Sequence, residues 1–131
     1  MLITVDPHSG VPVYRQVIDQ IKLHIATGRL EEGAELPSTR ALSAELKVNP
    51  MTLSKAYSRL EQEGFITRRP GLPSIVAART SDDQETSQIA LLRQQLEPAV
   101  ALVARLGLSP DRALGVLGAM LADIENKGDK S

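Results

Sequence analysis

The segment from Glu35 to Val76, ELPSTRALSAELKVNPMTLSKAYSRLEQEGFITRRPGLPSIV, constrains the fold more than any other part of the chain. Two stretches of helical periodicity lie only a few residues apart, and two β-type runs follow them. Ser38 is a good cap for the first stretch, which carries Ala41, Leu42 and Leu46 on its apolar side. Lys47 and Val48 make the corner. Asn49 caps the second stretch, with Pro50 at its first position, where the missing N–H costs nothing. Leu53, Ala56, Tyr57 and Leu60 form the apolar stripe of this second helix, and Gly64 ends it. Phe65–Thr67 and Ser74–Ala77 are expected as strands around a Pro-Gly-Leu-Pro turn, with Glu35 and Leu36 as a further short strand.

Ahead of this segment, Met1 to Val11 is a lead-in with turn chemistry in Asp6, Pro7, Ser9 and Gly10. Pro12 opens a helix whose Tyr14, Val17, Ile18, Ile21 and Ile25 recur at helical spacing until Gly28. Gln16, Asp19, Gln20 and Lys22 fall on its other side. Behind the segment, Thr80 to Gln88 is polar and acidic and is expected to be a linker. Ile89, Leu92, Leu96, Val100, Val103 and Leu106 then repeat at three and four, with Pro98 placed to kink or divide the run. After Gly107, residues Ser109, Pro110 and Asp111 start a last helix with Leu114, Leu117, Leu121 and Ile124 on one face. Asn126 to Ser131 is expected to fray.

The fold class is therefore mainly α with a small β-hairpin. Residues 1–79 form a winged helix-turn-helix, 80–88 a linker, and 89–131 a two-helix arm. In such a domain the second helix of the pair enters the DNA major groove, and the hairpin reaches alongside.

Composition narrows the function. With one Phe, two Tyr and no Trp, the chain has too few aromatic faces to stack single-stranded bases. The net charge of −1 averages two unlike halves. Residues 1–79 hold ten Lys or Arg against eight Asp or Glu, a balance of +2; residues 80–131 hold five against eight, a balance of −3. A basic front and an acidic back turn one side towards phosphate. The chain has no cysteine, hence no disulfide, thiol nucleophile or Cys-ligated zinc. His8 and His24 stand alone, without carboxylates at ligand spacing, so no metal or other cofactor is expected. There is no phosphate-binding glycine loop and no Ser-His-Asp or paired-acid arrangement, which argues against an enzyme. No signal peptide and no membrane-length apolar run is visible, so the expected location is the cytoplasm.

At this level of detail the chain resembles GntR-type regulators, and most of all their short YtrA-like subfamily. The resemblance rests on Pro12, Tyr14 and Gln16, on Gly28, Leu30 and Gly33, and on Leu36, Pro37, Ser38 and Arg40. It continues through Val48, Asn49, Pro50 and Thr52, then Ala56, Tyr57, Leu60, Gly64 and Gly71. The resemblance implies a transcriptional repressor that binds a double-stranded operator as a homodimer. It further implies control of nearby transport genes and of the regulator's own gene.

The resemblance also places Arg40, with Ser38 and Thr39 beside it, close to a base or phosphate; a guanidinium there can pair with guanine O6 and N7. The alternative for Arg40 is a surface ion pair, for instance with Glu45. Asn49, Pro50, Met51, Thr52, Ser54 and Lys55 lie at the start of the recognition helix, off its apolar stripe, where they can meet phosphates, base edges or a thymine methyl. Their alternative role is to cap and satisfy the first turn. Arg68 and Arg69 at the wing can reach the minor groove, and Gly71 lets the backbone approach closely.

For the arm, Ile89, Leu92, Leu96, Val100, Val103, Leu114, Leu117, Leu121 and Ile124 are the expected dimerisation residues. Gly115, Gly118, Ala119 and Ala122 would let helix backbones approach. Two other readings fit less well. In one, the arm binds an effector of unknown identity and gates the DNA-binding unit, although it offers few polar groups for a pocket. In the other, the winged helix serves protein contacts alone.

Overall fold

The computed structural model describes residues 3–128. The chain divides into two units, Met1–Leu91 and Leu92–Ser131.

The first unit is built around three helices. In α1 (Val13–Ala26), Val17, Ile18 and Ile21 are buried, and Pro12 stands at the N-cap. In α2 (Thr39–Leu46), the Ser38 hydroxyl accepts from the Ala41 N–H at 3.0 Å, satisfying a first-turn donor. Lys47 closes α2 in the left-handed region (φ 58°) and turns the chain into α3 (Pro50–Gln62). There Asn49 Oδ1 accepts from the Met51 N–H at 2.8 Å, and Pro50 occupies the first turn. Gly64 leaves α3 at φ 81°, a conformation that costs a side chain and suits glycine. The chain then drops Phe65 and Ile66 into the core.

α1 and α2 both pack on α3, which also carries the first strand. The core is aliphatic except for Tyr57 and Phe65, as the scarcity of aromatics requires. Each large side chain buried there contributes roughly 1.5–3 kcal/mol.

The hairpin pairs β1 (Ile66–Arg69) with β2 (Leu72–Val76) in antiparallel register, Ile66 opposite Val76, Thr67 opposite Ile75 and Arg69 opposite Leu72. Between these pairs Arg68 faces two residues, Pro73 and Ser74, in a bulge. The bulge tolerates Pro73, which has no N–H for the ladder. The strands thus reach closer to the tip than the four-residue turn expected from sequence, leaving only Pro70 and Gly71 between them. Glu35 bridges Ile75, so the short strand expected at Glu35 and Leu36 is a single bridge on the far side of β2.

The polar side of α1 has a use that helical periodicity does not reveal. Gln20 Oε1 accepts from the Thr4 N–H at 3.0 Å while its Nε2 donates to the Thr4 carbonyl. One turn earlier, Gln16 Oε1 accepts from the Asp6 N–H at 2.8 Å, and its Nε2 donates to the Asp6 and Val11 carbonyls, both at 2.9 Å. The two amides clasp the lead-in as a neighbouring strand would, and Ile3 is carried into the core.

Two expectations for the C-terminal part need correction. The segment 80–88 is not an extended linker, because α4 (Ser81–Leu106) already begins at Ser81. Thr80 Oγ1 accepts from the Asp83 N–H at 3.1 Å, and Asp82 and Asp83 favour the positive end of the helix, so the acidic composition is that of a solvated first turn. Pro98 lies inside α4 without dividing it. Gly107 (φ 70°) and Ser109, whose hydroxyl accepts from the Arg112 N–H at 3.2 Å, then lead into α5 (Pro110–Gly128). The expected frayed end is helical through Gly128, and its remainder lies outside the described residues, as do Met1 and Leu2.

Tyr57 joins the recognition helix to the start of α2: its hydroxyl donates to the Pro37 carbonyl at 2.7 Å. Burial pushes this phenol up from 10.0 to about 12, with the Arg68 charge pulling weakly the other way. A raised value means that the fold holds the proton more tightly than the unfolded chain. The associated stability is complete below pH 10 and is lost as pH rises through about 12. We expect Tyr57→Phe to cost on the order of 1 kcal/mol near neutral pH and to flatten the alkaline fall in stability. Urea unfolding of both proteins across that range checks this; identical alkaline slopes would contradict it.

Candidate nucleic-acid interface

Leu53, Ala56, Tyr57 and Leu60 bury one side of α3, so the first turns present Asn49, Pro50, Met51, Ser54 and Lys55 to solvent. Met51, at 77% exposure, is the most open large apolar side chain described, which core packing does not explain. Thr52 is half-buried beside the stripe. Asn49 uses its Oδ1 as the cap, and its Nδ2 has no partner among the described residues.

Arg40 is exposed near the start of α2 and takes part in no ion pair among the described residues, so the alternative pairing with Glu45 does not occur. Ser38, exposed, is occupied as the α2 cap, and Thr39 is half-buried. Lys55 is held from behind: its ammonium lies 3.9 Å from the centre of the Tyr14 ring. This cation–π contact fixes the charge at the α1–α3 edge while leaving the N–H donors usable. No sequence spacing links Tyr14 to Lys55; only the packing of α1 on α3 brings them together.

The wing arginines are less free than expected of a hairpin tip. Arg68 Nη2 donates to the Ser54 carbonyl at 3.2 Å and to the Ser58 hydroxyl at 3.3 Å, tying β1 to the recognition helix. Arg69 donates through Nε and Nη2 to the Pro73 carbonyl at 2.9 and 2.8 Å, and lies 3.9 Å from Glu35. Arg68 stays beside α3 and Arg69 beside Pro73 and Glu35, so the geometry of both is set by the protein itself. Gly71 forms the tip at φ 72°, a region that favours glycine.

Four cations supply the positive charge of this candidate surface. Arg40, Lys55, Arg68 and Arg69 come from α2, α3 and β1, and of the four only Arg69 is in an ion pair among the described residues. It carries hydrogen-bond donors for phosphates and base edges, and its chemistry is that of binding. Among the described residues, no group of His, Cys, Asp and Glu is placed to hold a metal ion. None of the described helices is long and apolar enough to cross a membrane.

A helix pair followed by a basic hairpin, with the second helix exposed at its start, defines a winged helix-turn-helix DNA-binding domain. Residues 13–76 match the model of the gntR family of bacterial regulatory proteins. The HTH-type transcriptional repressor YtrA of Bacillus subtilis (strain 168) is 32% identical over 99 residues, 76% of each chain. A GntR family transcriptional regulator from Listeria monocytogenes superposes with a TM-score of 0.73 at 26% identity, over 88% of this chain and 98% of that one. The AraR DNA-binding domain, solved in complex with operator ORX1, covers 56% of this chain and 90% of its own, with a TM-score of 0.51 and 27% identity. The chain belongs to the GntR family: it is a DNA-binding transcriptional regulator.

The Arg68 bridge is open to test. Arg68→Ala should lower stability by about 1 kcal/mol as well as weaken DNA binding. Arg68→Lys keeps the charge but loses the two-point geometry, and should lose a similar amount of stability. Thermal melting of the two variants separates the bridge from plain surface charge; melting of both with the parent would dissolve it.

Proposed function

We propose that the chain is a repressor of the short YtrA-like subfamily that binds a palindromic operator as a homodimer. The observation that carries this reading is the unburied arm. Leu92, Val100, Leu114, Leu121 and Ile124 are each more than half exposed, along with Ile89, and Leu117 is 38% exposed; Leu96 and Val103 are half-buried. The pairs of elements that pack closely are all in the first unit, and α4 and α5 are not among them. So much aliphatic surface in water is unfavourable, and a second copy offers the same apolar stripe in return.

In this reading residues 1–79 bind DNA, and the helices from residue 89 onwards join two copies. Each copy presents the start of α3 to a major groove, with Asn49, Pro50, Met51, Thr52, Ser54 and Lys55 towards bases and phosphates. Ser38, Thr39 and Arg40 of α2 approach the same strand, and Arg68, Arg69 and Gly71 flank the minor groove. The operator complex of the related AraR domain supports this docking, and the repressor name of the Bacillus relative supports the sign of regulation. The bound dimer works in the cytoplasm, blocking polymerase at its own promoter and at nearby transport genes.

Joining matters because one winged helix contacts few bases. A second, tethered copy turns the next contact into an intramolecular one and raises affinity through effective concentration. Replacing Leu117 and Leu121 together with Asp puts charge into the apolar contact. The double variant should be a monomer by light scattering, keep its winged helix by circular dichroism, and bind a duplex selected by the parent at least about 100-fold more weakly. A dimer with full affinity would remove the arm from the mechanism.

The DNA face itself is tested by two single changes. Arg40→Ala should relax base preference and cost about 1–3 kcal/mol on the selected duplex. Lys55→Ala should weaken all duplexes alike and flatten the salt dependence by about one unit of slope. Parent-like binding by both variants would misplace the face.

A further inference from the structure

The end of α1 and the loop after it, the end of β2 and the first turns of α4 line an open cavity of about 280 Å³ in the first unit, whose lining includes none of the residues assigned to DNA. Ile25, Leu30, Phe65 and Val76 supply an apolar wall. Two cations lie over the Phe65 ring, the Lys22 ammonium at 5.0 Å and the Arg79 guanidinium at 4.0 Å. They differ in one respect. Lys22 is paired with Glu63 at 3.3 Å, whereas Arg79 is in no ion pair among the described residues and its Nη1 is buried without a hydrogen-bond partner.

The Arg79 guanidinium lines the cavity, and its charge is unmet by any carboxylate among the described residues. The opposite charge is present in the same lining. Glu31 and Glu32 are exposed, contribute to the cavity and form no ion pair among the described residues. A simple anion on Arg79 would share the cavity with these two carboxylates, and a simple cation would leave Arg79 unmet. A small molecule with both charges answers both. The α4 side adds Ser87 as a neutral polar group, while Gln84 donates to the Arg79 carbonyl at 3.5 Å and Gln88 to the Ala26 carbonyl at 3.2 Å.

We propose that this cavity binds a small aliphatic amino acid, its carboxylate on the Arg79 guanidinium, its ammonium at Glu31 and Glu32, and its side chain on the wall of Ile25, Leu30 and Val76. The size suits it, and a mostly apolar wall with a few converging polar groups is what small-molecule sites share. The bound molecule touches α1, β2 and the start of α4 together, so it bears on the helix that continues towards the arm.

The site needs neither DNA nor a second copy, so its test stands apart from the operator reading. Calorimetric titration of the full chain with L-leucine, L-isoleucine and L-valine should give saturable binding for at least one. The matching carboxylic acid without the ammonium, and the matching amine without the carboxylate, should each bind about tenfold more weakly or worse. Arg79→Gln should lose at least about tenfold, and the Glu31→Gln, Glu32→Gln pair should bring the amino acid down to the level of the bare acid. Because Arg79 also stacks on Phe65, Ser87→Trp provides a second variant that fills the space from α4 and keeps every charge; it should abolish binding. Saturable binding by none of the three, equal binding of the bare acid, or binding that survives both Arg79→Gln and Ser87→Trp would overturn the assignment.

Discussion

The burial of one side of α3 is the constraint on which the rest of this structure depends. Leu53, Ala56, Tyr57 and Leu60 sit in the core against α1 and α2, and the Tyr57 hydroxyl is fastened to the Pro37 carbonyl just ahead of α2. Helical geometry then leaves Asn49, Pro50, Met51, Ser54 and Lys55 no place but the surface. The apolar contacts fix the rotation of α3 about its axis, and the phenol fixes its relation to α2, which carries Arg40. With both helices fixed in this way, the backbones that carry the donors need no rearrangement to meet a duplex, which lowers the entropic cost of binding.

Around this frame, charged side chains serve the fold and the surface at once. Lys55 lies on Tyr14, Arg68 bridges to Ser54 and Ser58, and Arg69 braces Pro73. Each contact holds a cation in a set direction. Exposed hydrogen bonds of this kind contribute only about 1 kcal/mol each, so a phosphate can compete for them. The wing is therefore a braced basic edge rather than a loose arm.

Much of this was legible in the residues. Ser38, Asn49 with Pro50, and Gly64 mark helix ends through local backbone chemistry, and the stripe of α3 follows from its 3.6-residue period. What stayed hidden depends on residues far apart in sequence. Periodicity places Gln16 and Gln20 on a polar side but cannot say that the chain's own lead-in covers it. It places Arg68 and Arg69 near a tip but not against Ser54, Ser58 or Pro73. The segment 80–88 misled for another reason: a solvated helix start and a linker share the same composition, and only the Thr80 cap and the acidic first turn distinguish them. The cavity beside Arg79 left no mark in the sequence, because its lining comes from four separate stretches of chain.

In the proposed function, two copies of α3, held rigidly by their cores and joined through the arm, read one palindrome. Hydroxyl-radical footprinting of the full chain on a duplex selected from a random pool tests it most directly. Two such copies should leave two protected half-sites related by two-fold symmetry, with centres about 34–36 Å apart or a multiple of that on one side of the duplex. Protection of a single half-site, or uniform protection with no selected sequence, would contradict it.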